Sequence, residues 1–195
     1  MHQYGTRPEH LAEVAVAARR WAQLNPKAWS RDPLSIDDVL ASPMISDPLH
    51  KLDCCLVTDG GGATTRIAPP PSVMTQQSRR CSGSEIIGDF STSSTVTTKA
   101  RAKDAAKKPI RVLGAGESTQ QWHISQMPDL TVTPGVVSSR EAFGMAGITA
   151  KDVDVFEPYD NFTHSVIHYL EDLGFCARGE GGSFVEGGRL GPGGD

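Results

Sequence analysis

The chain has 195 residues, with 19 Lys and Arg against 23 Asp and Glu, a formal charge of −4, and 38% hydrophobic residues. That length supports one cored domain or two small halves. The weakly acidic balance gives no broad electrostatic grip on nucleic acid or anionic membrane, and no apolar run approaches the roughly 18 residues of a membrane span.

The first element is a helix. Thr6 is a candidate N-cap, Pro8 suits the first turn, and Glu9 stands three residues after Thr6. Leu11, Val14, Ala15, Ala18, Ala22 and Leu24 recur at helical spacing until Asn25-Pro26 stops them. Ser35 caps a short helix, IDDVLA, ending before Pro43. An apolar run, Leu52 to Val57, leads into a tight turn from Thr58 to Ala63. From Thr64 to about Thr95 no period of either kind is sustained, and Pro69, Pro70 and Pro71 are consecutive. Such a stretch predicts a lid, an insertion or disorder. An Ala/Lys-rich helix is expected around Lys99–Lys107, and a strand over Ile110–Gly114. A helix over Ser138–Met145 stops at Gly147, and Val153–Glu157 alternates like a strand. Asp160 can cap a helix to about Leu173, closed by Gly174, before a glycine-rich tail. Strand, helix, strand, helix indicates an α/β layer fold, with a boundary near Lys108-Pro109.

Each candidate site has a plain structural alternative. Gly114-Ala115-Gly116 follows a predicted strand as a dinucleotide loop would, but Thr119 holds the third glycine position, so a strand-end turn is the better reading. His164 and His168 share a helical face at zinc-chelating spacing, yet Ser165 replaces the glutamate of a metallohydrolase and only Glu171 offers a third ligand. No metal is expected there. Cys54, Cys55, Cys81 and Cys176 form no C-x-x-C pair and none sits in a nucleophile elbow. Cys176, just past a helix C-terminus, is expected to have a raised pKa. Asp59 reads as an Asx-type turn residue or as part of a turn open to a ligand. Tyr159 sits where a strand passes into a helix and can transfer a proton; beside it, Asp160 has a sufficient role as a cap. The amino terminus, MHQYGTRPEHLAE, lacks the apolar core of a secretory signal, so a reducing cytoplasm is expected.

Several segments together resemble the thiolases. Asp59-Gly60-Gly61-Gly62-Ala63 is similar to their D-G-A-A-A segment. Val153–Phe162 resembles the strand ending in N-E-A-F, which the sterol-carrier and lipid-transfer branch writes H-D-C-F or Y-D-x-F, as in Tyr159-Asp160-Asn161-Phe162. Leu170–Cys176, Gly179–Gly182 and the opening His2–Thr6 with Leu11–Ala15 are similar to that branch too.

The resemblance implies a partial layered α/β fold. Residues 1–108 would be the end of the N-terminal half, with an irregular insertion at about 64–95, and 109–195 the start of the C-terminal half. It implies carbon–carbon bond chemistry on an acyl-CoA thioester in lipid or steroid metabolism, with coenzyme A in the substrate and no bound cofactor. It also implies a homodimer or a complex with a partner subunit. The family's nucleophilic cysteine would precede Met1, and its G-H-P histidine would follow Asp195, making this a central piece of a longer protein without turnover of its own. Tyr159 is the one catalytic position that transfers. Thiolases place Asn or His there, and tyrosine suits a steroid side-chain retro-aldolase. A non-catalytic partner subunit or a gene remnant is the remaining alternative.

Overall fold

The computed structural model describes residues 1–56, 61–67, 73–77, 91–96, 101–104 and 110–194. They fall into two compact units, Met1–Cys55 with Leu113–Asp195, and Leu56–Val112.

The first unit is built on helix α1, Pro8–Leu24. Its N-cap is Arg7 rather than Thr6. His10, three residues on, reaches back and accepts the Arg7 N–H at Nδ1 (3.2 Å). Its Nε2–H is thereby left to donate to Glu186 Oε1 at 2.7 Å, which fixes the ring of a nearly buried histidine. Helix α1 serves two cores. Leu11 and Val14 pack with Val166, Ile167, Leu170 and Val185; Ala12 and Val16 pack with Val39. A stripe this wide exceeds a simple amphipathic seam, and the small side chain of Ala12 lets the second core approach. Helix α2, Ile36–Ala41, carries the expected cap: Ser35 Oγ accepts the Asp38 N–H while Asp38 Oδ2 accepts the Ser35 N–H. Strands β1, Met44–Ser46, and β2, Leu49–His50, then form a short antiparallel pair.

Helix α3, Gly135–Ala146, ends at Gly147, whose φ of +70° favours glycine. Helix α4 runs Thr163–Asp172 from an N-cap at Phe162, so Asp160 lies outside it and does not cap it. Its end is a Schellman motif. Gly174 has a φ of +82°, its N–H reaches the Glu171 carbonyl, and the Phe175 N–H reaches the Leu170 carbonyl. Phe175 then packs on the core beside Phe156, their ring centroids 4.8 Å apart. A last short helix, α5, spans Gly181–Phe184.

The two strands expected at 110–114 and 153–157 are absent. Both segments are irregular, with Ile110 95% and Val155 75% exposed. Apolar alternation shows that a segment can pair; a strand also needs a neighbour, and none among the described residues pairs with either. The Gly-Ala-Gly run has a packing purpose instead. A β-carbon on Gly114 would overlap the Ala142 carbonyl, and one on Gly116 would overlap the Ser138 carbonyl. Two residues of extended chain advance about as far as four residues of helix, so alternate glycines meet carbonyls one turn apart on α3. Gly114→Ala or Gly116→Ala is expected to cost about 3 kcal/mol or more, read as a lowered urea midpoint, because the obstacle is backbone and cannot rotate away.

The second unit contains a three-stranded sheet in the order β4-β3-β5: β3 is Gly61–Ile67, β4 is Val73–Gln77 and β5 is Ser91–Val96. Strand β3 pairs antiparallel with β4, Ala63 opposite Gln77, and parallel with β5, Gly61 opposite Ser91. Regular strands thus occur within the stretch from Thr64 to about Thr95, where a lid, an insertion or disorder was expected, and only the expectation of disorder is corrected, at those strands. The sheet also moves Gly61–Ala63 from the expected turn into a strand. Asp59 and Cys81 lie outside the described residues, as does most of the helix expected at 99–107, of which Arg101–Asp104 forms a 3₁₀ turn.

Candidate functional site

The Tyr159–Phe162 turn is held by a segment more than a hundred positions earlier. A 3₁₀ turn, Lys51–Asp53, delivers Cys54 into an antiparallel bridge with Phe162. The Cys55 N–H donates to the Asn161 carbonyl at 3.1 Å. Beside this bridge sits Asp53, 3% exposed. Its Oδ1 accepts the Thr163 hydroxyl at 3.0 Å, and its Oδ2 accepts the His50 N–H at 2.9 Å. A buried carboxylate with two donors is satisfied, and here it ties the first residue of α4 to the end of β2. Tyr159 stands at the free end of the turn, 68% exposed.

A second polar group anchors the other end of α4. The Asp172 carboxylate accepts the Thr133 N–H at 3.0 Å and a short bond from Arg178. Arg178 also donates to the Thr131 carbonyl (2.6 Å) and to Glu171 (3.2 Å), while Glu171 accepts the Gly181 N–H. The loop before α3, the end of α4 and the start of α5 therefore meet on one guanidinium.

Two of the described thiols, Cys54 and Cys176, are poor nucleophiles. Burial, then the charges of Asp53 and Cys55, pushes the Cys54 thiol up. Burial, with Glu171 and Glu180 adding to it against Arg178, pushes Cys176 up to about 11. The sequence expectation for Cys176 holds in direction, with desolvation ahead of any charge effect.

His164 and His168 do share a face of α4, their ring centroids 5.9 Å apart and nearly perpendicular. They line a cavity of about 310 Å³ together with Tyr4, Leu11, Leu49 and Ile167. Tyr159 is not part of its wall. Burial lowers the pKa of both rings from the ordinary 6.5; His168 adds to this for His164 against Asp53, and for His168 the carboxylates of Asp172 and Glu171 oppose it. The unfolded chain therefore binds more protons than the folded one below pH 6.5. The stabilisation is present above that value and is lost as pH falls through the lowered folded pKa. Melting temperature is expected to fall between pH 6.5 and 5, and to fall less in the His164→Gln/His168→Gln variant. A wild-type midpoint that rises over that range in this comparison would contradict the assignment.

Asp53, Thr163, Asn161 and Arg178 were not singled out by sequence reasoning. The available signal for Asp53 was a lone carboxylate between Leu52 and Cys54 in an apolar run, which must be paired if it is buried.

Residues 116–195 match the family described as thiolase C-terminal domain-like. The chain is thiolase-like. Its fold is a partial thiolase-like α/β arrangement. Among known proteins, this thiolase-like chain is similar to the steroid side-chain-cleaving aldolase of Thermomonospora curvata, at 31% identity over 97% of this chain and 42% of that one. It is similar to the acetyl-CoA acetyltransferase of Methanothermobacter thermautotrophicus, at 30% identity over 96% and 42%. Among solved structures it superposes on the Ltp2-ChsH2(DUF35) aldolase with a TM-score of 0.72 and 28% identity, over 100% of this chain and 44% of that one. The chain thus spans under half the length of these relatives. Among the described residues no helix is long and apolar enough to cross a membrane.

Proposed function

We propose that this thiolase-like chain belongs to an enzyme that breaks a carbon–carbon bond in an acyl-CoA thioester of lipid or steroid type. Two forms of that chemistry are open to the fold. In acyl transfer or thiolytic cleavage, a thiolate attacks the substrate and free coenzyme A takes the acyl group. In retro-aldol cleavage no thiolate is needed. A base takes the proton of a β-hydroxyl, a carbonyl forms at that carbon, and the Cα–Cβ pair passes to the thioester as an enolate, which is then protonated.

The retro-aldol form is favoured by one observation: the clamped turn presents the Tyr159 hydroxyl to solvent, whereas the Cys54 and Cys176 thiols are held protonated. The aldolases among the relatives support the same choice. The whole enzyme would place Tyr159 at the substrate as proton-transfer group. It would work as a homodimer or with a second subunit, in keeping with the Ltp2-ChsH2(DUF35) aldolase, whose name joins two components. Its coenzyme A arrives as substrate, and no bound cofactor is invoked.

Product analysis tests this. The protein carrying this chain, purified with its co-expressed partners, is given the CoA thioester of a β-hydroxy acid. Release of a carbonyl compound and a shortened acyl-CoA, without added free coenzyme A, supports the retro-aldol form. Cleavage that depends on free coenzyme A would return the assignment to thiolysis. Conversion by neither route would leave the chain as a non-catalytic subunit.

A further inference from the structure

We propose that the His164–His168 pair on α4 is a two-histidine chelating site for a borderline divalent transition-metal ion, with water completing its coordination. The first ground is spacing. Residues four apart on a helix project side by side, and the ten-residue α4 places these two rings edge to face at 5.9 Å. A shared ion would take one nitrogen from each ring at about 2.0–2.1 Å, with the His164 ring turning from its stack on Phe162, where the centroids are 5.6 Å apart.

The second ground is access. Both rings face the cavity of about 310 Å³, which has room for an ion and its waters. Among the described residues neither ring is hydrogen-bonded to the protein, in contrast to His10, which uses both nitrogens. Burial also keeps both imidazoles in the neutral form that ligates metal.

The third ground is charge. Glu171 and Asp172 act on His168 and Asp53 acts on His164 in the sense that favours a cation, against Arg178 and the amino-terminal ammonium at His168 and against burial at both rings. Glu171 itself is taken by Arg178 and the Gly181 N–H, so it contributes field rather than a ligand. Among the described residues no group of three or more His, Cys, Asp or Glu is arranged around a single ion. The site therefore has two protein ligands and open positions. Imidazole pairs of this kind select Zn²⁺, Ni²⁺ and Cu²⁺ over Mg²⁺ and Ca²⁺.

The test is calorimetric titration of the full chain with Zn²⁺ and, separately, Ni²⁺ at pH 7.5, where both rings are neutral. One ion per chain is expected, with no heat from Mg²⁺. His164→Gln and His168→Gln are each expected to weaken binding about tenfold or more, while His2→Gln and His123→Gln leave it unchanged. Should the α4 variants fail to fold, ¹⁵N imidazole resonances of the wild-type chain give the same answer: those of His164 and His168 must move on titration. Undiminished binding in the folded double variant, movement confined to other histidines, or no binding of either ion would overturn the proposal.

Discussion

Replacing Arg178 by alanine is expected to lower the unfolding free energy by about 3–5 kcal/mol, the range for removing one partner of a buried charge pair. The Asp172 side chain is completely shielded from solvent, and Arg178 is its charge partner. Without the guanidinium, the carboxylate keeps the Thr133 N–H and hydroxyl but loses its counter-ion. The Thr131 carbonyl and Glu171 lose a donor in the same step. Three elements would be released together, so the loss should appear as one cooperative shift in urea denaturation. Lysine is expected to recover only part of it. An ammonium can approach one of these acceptors closely, whereas the planar guanidinium reaches all three. A loss below about 1 kcal/mol in Arg178→Ala, the size of an exposed pair, would show that solvent already screens this group.

The helices were legible because their signals are local. The apolar spacing of α1, the Ser35 box on α2 and the glycine stops at Gly147 and Gly174 act within a few residues. The caps assigned to Thr6 and Asp160 failed because a suitable side chain near a helix start is necessary without being sufficient. At α1 the bond to the Arg7 N–H comes from the third helical residue, His10. At α4 the chain enters through the Cys54–Phe162 bridge, two residues past Asp160.

The strands were illegible in both directions. Ile110–Gly114 and Val153–Glu157 have the right alternation and no partner among the described residues. The sheet of β3, β4 and β5 has partners and almost no alternation, its third strand being Ser-Thr-Ser-Ser-Thr-Val. Pairing is a property of two segments, and a single-segment pattern registers only half of it.

The site divides along the same line. Tyr159 could be named from its place at the start of a motif. The clamp behind it could not, since Asp53 and Thr163 are 110 positions apart and meet only in the folded chain.

The second large effect falls on that tyrosine. In the proposed reaction Tyr159 moves the proton that lets the β-carbon become a carbonyl. General acid–base groups contribute about 10²–10⁴-fold to rate. Tyr159→Phe removes the hydroxyl and keeps the ring, and the ring is largely solvent-exposed, so folding should be untouched. The expected result is a kcat lowered by about 10²-fold or more with KM little changed, because the lost interaction belongs to the transition state rather than to substrate binding.

Steady-state cleavage of a β-hydroxyacyl-CoA by the complete protein, wild type against Tyr159→Phe in one preparation series, is therefore the most direct measurement. A fall in kcat of that size at constant KM and unchanged melting temperature is the predicted result. An unchanged kcat would contradict the assignment of Tyr159 and, with it, the retro-aldol reading of this fold.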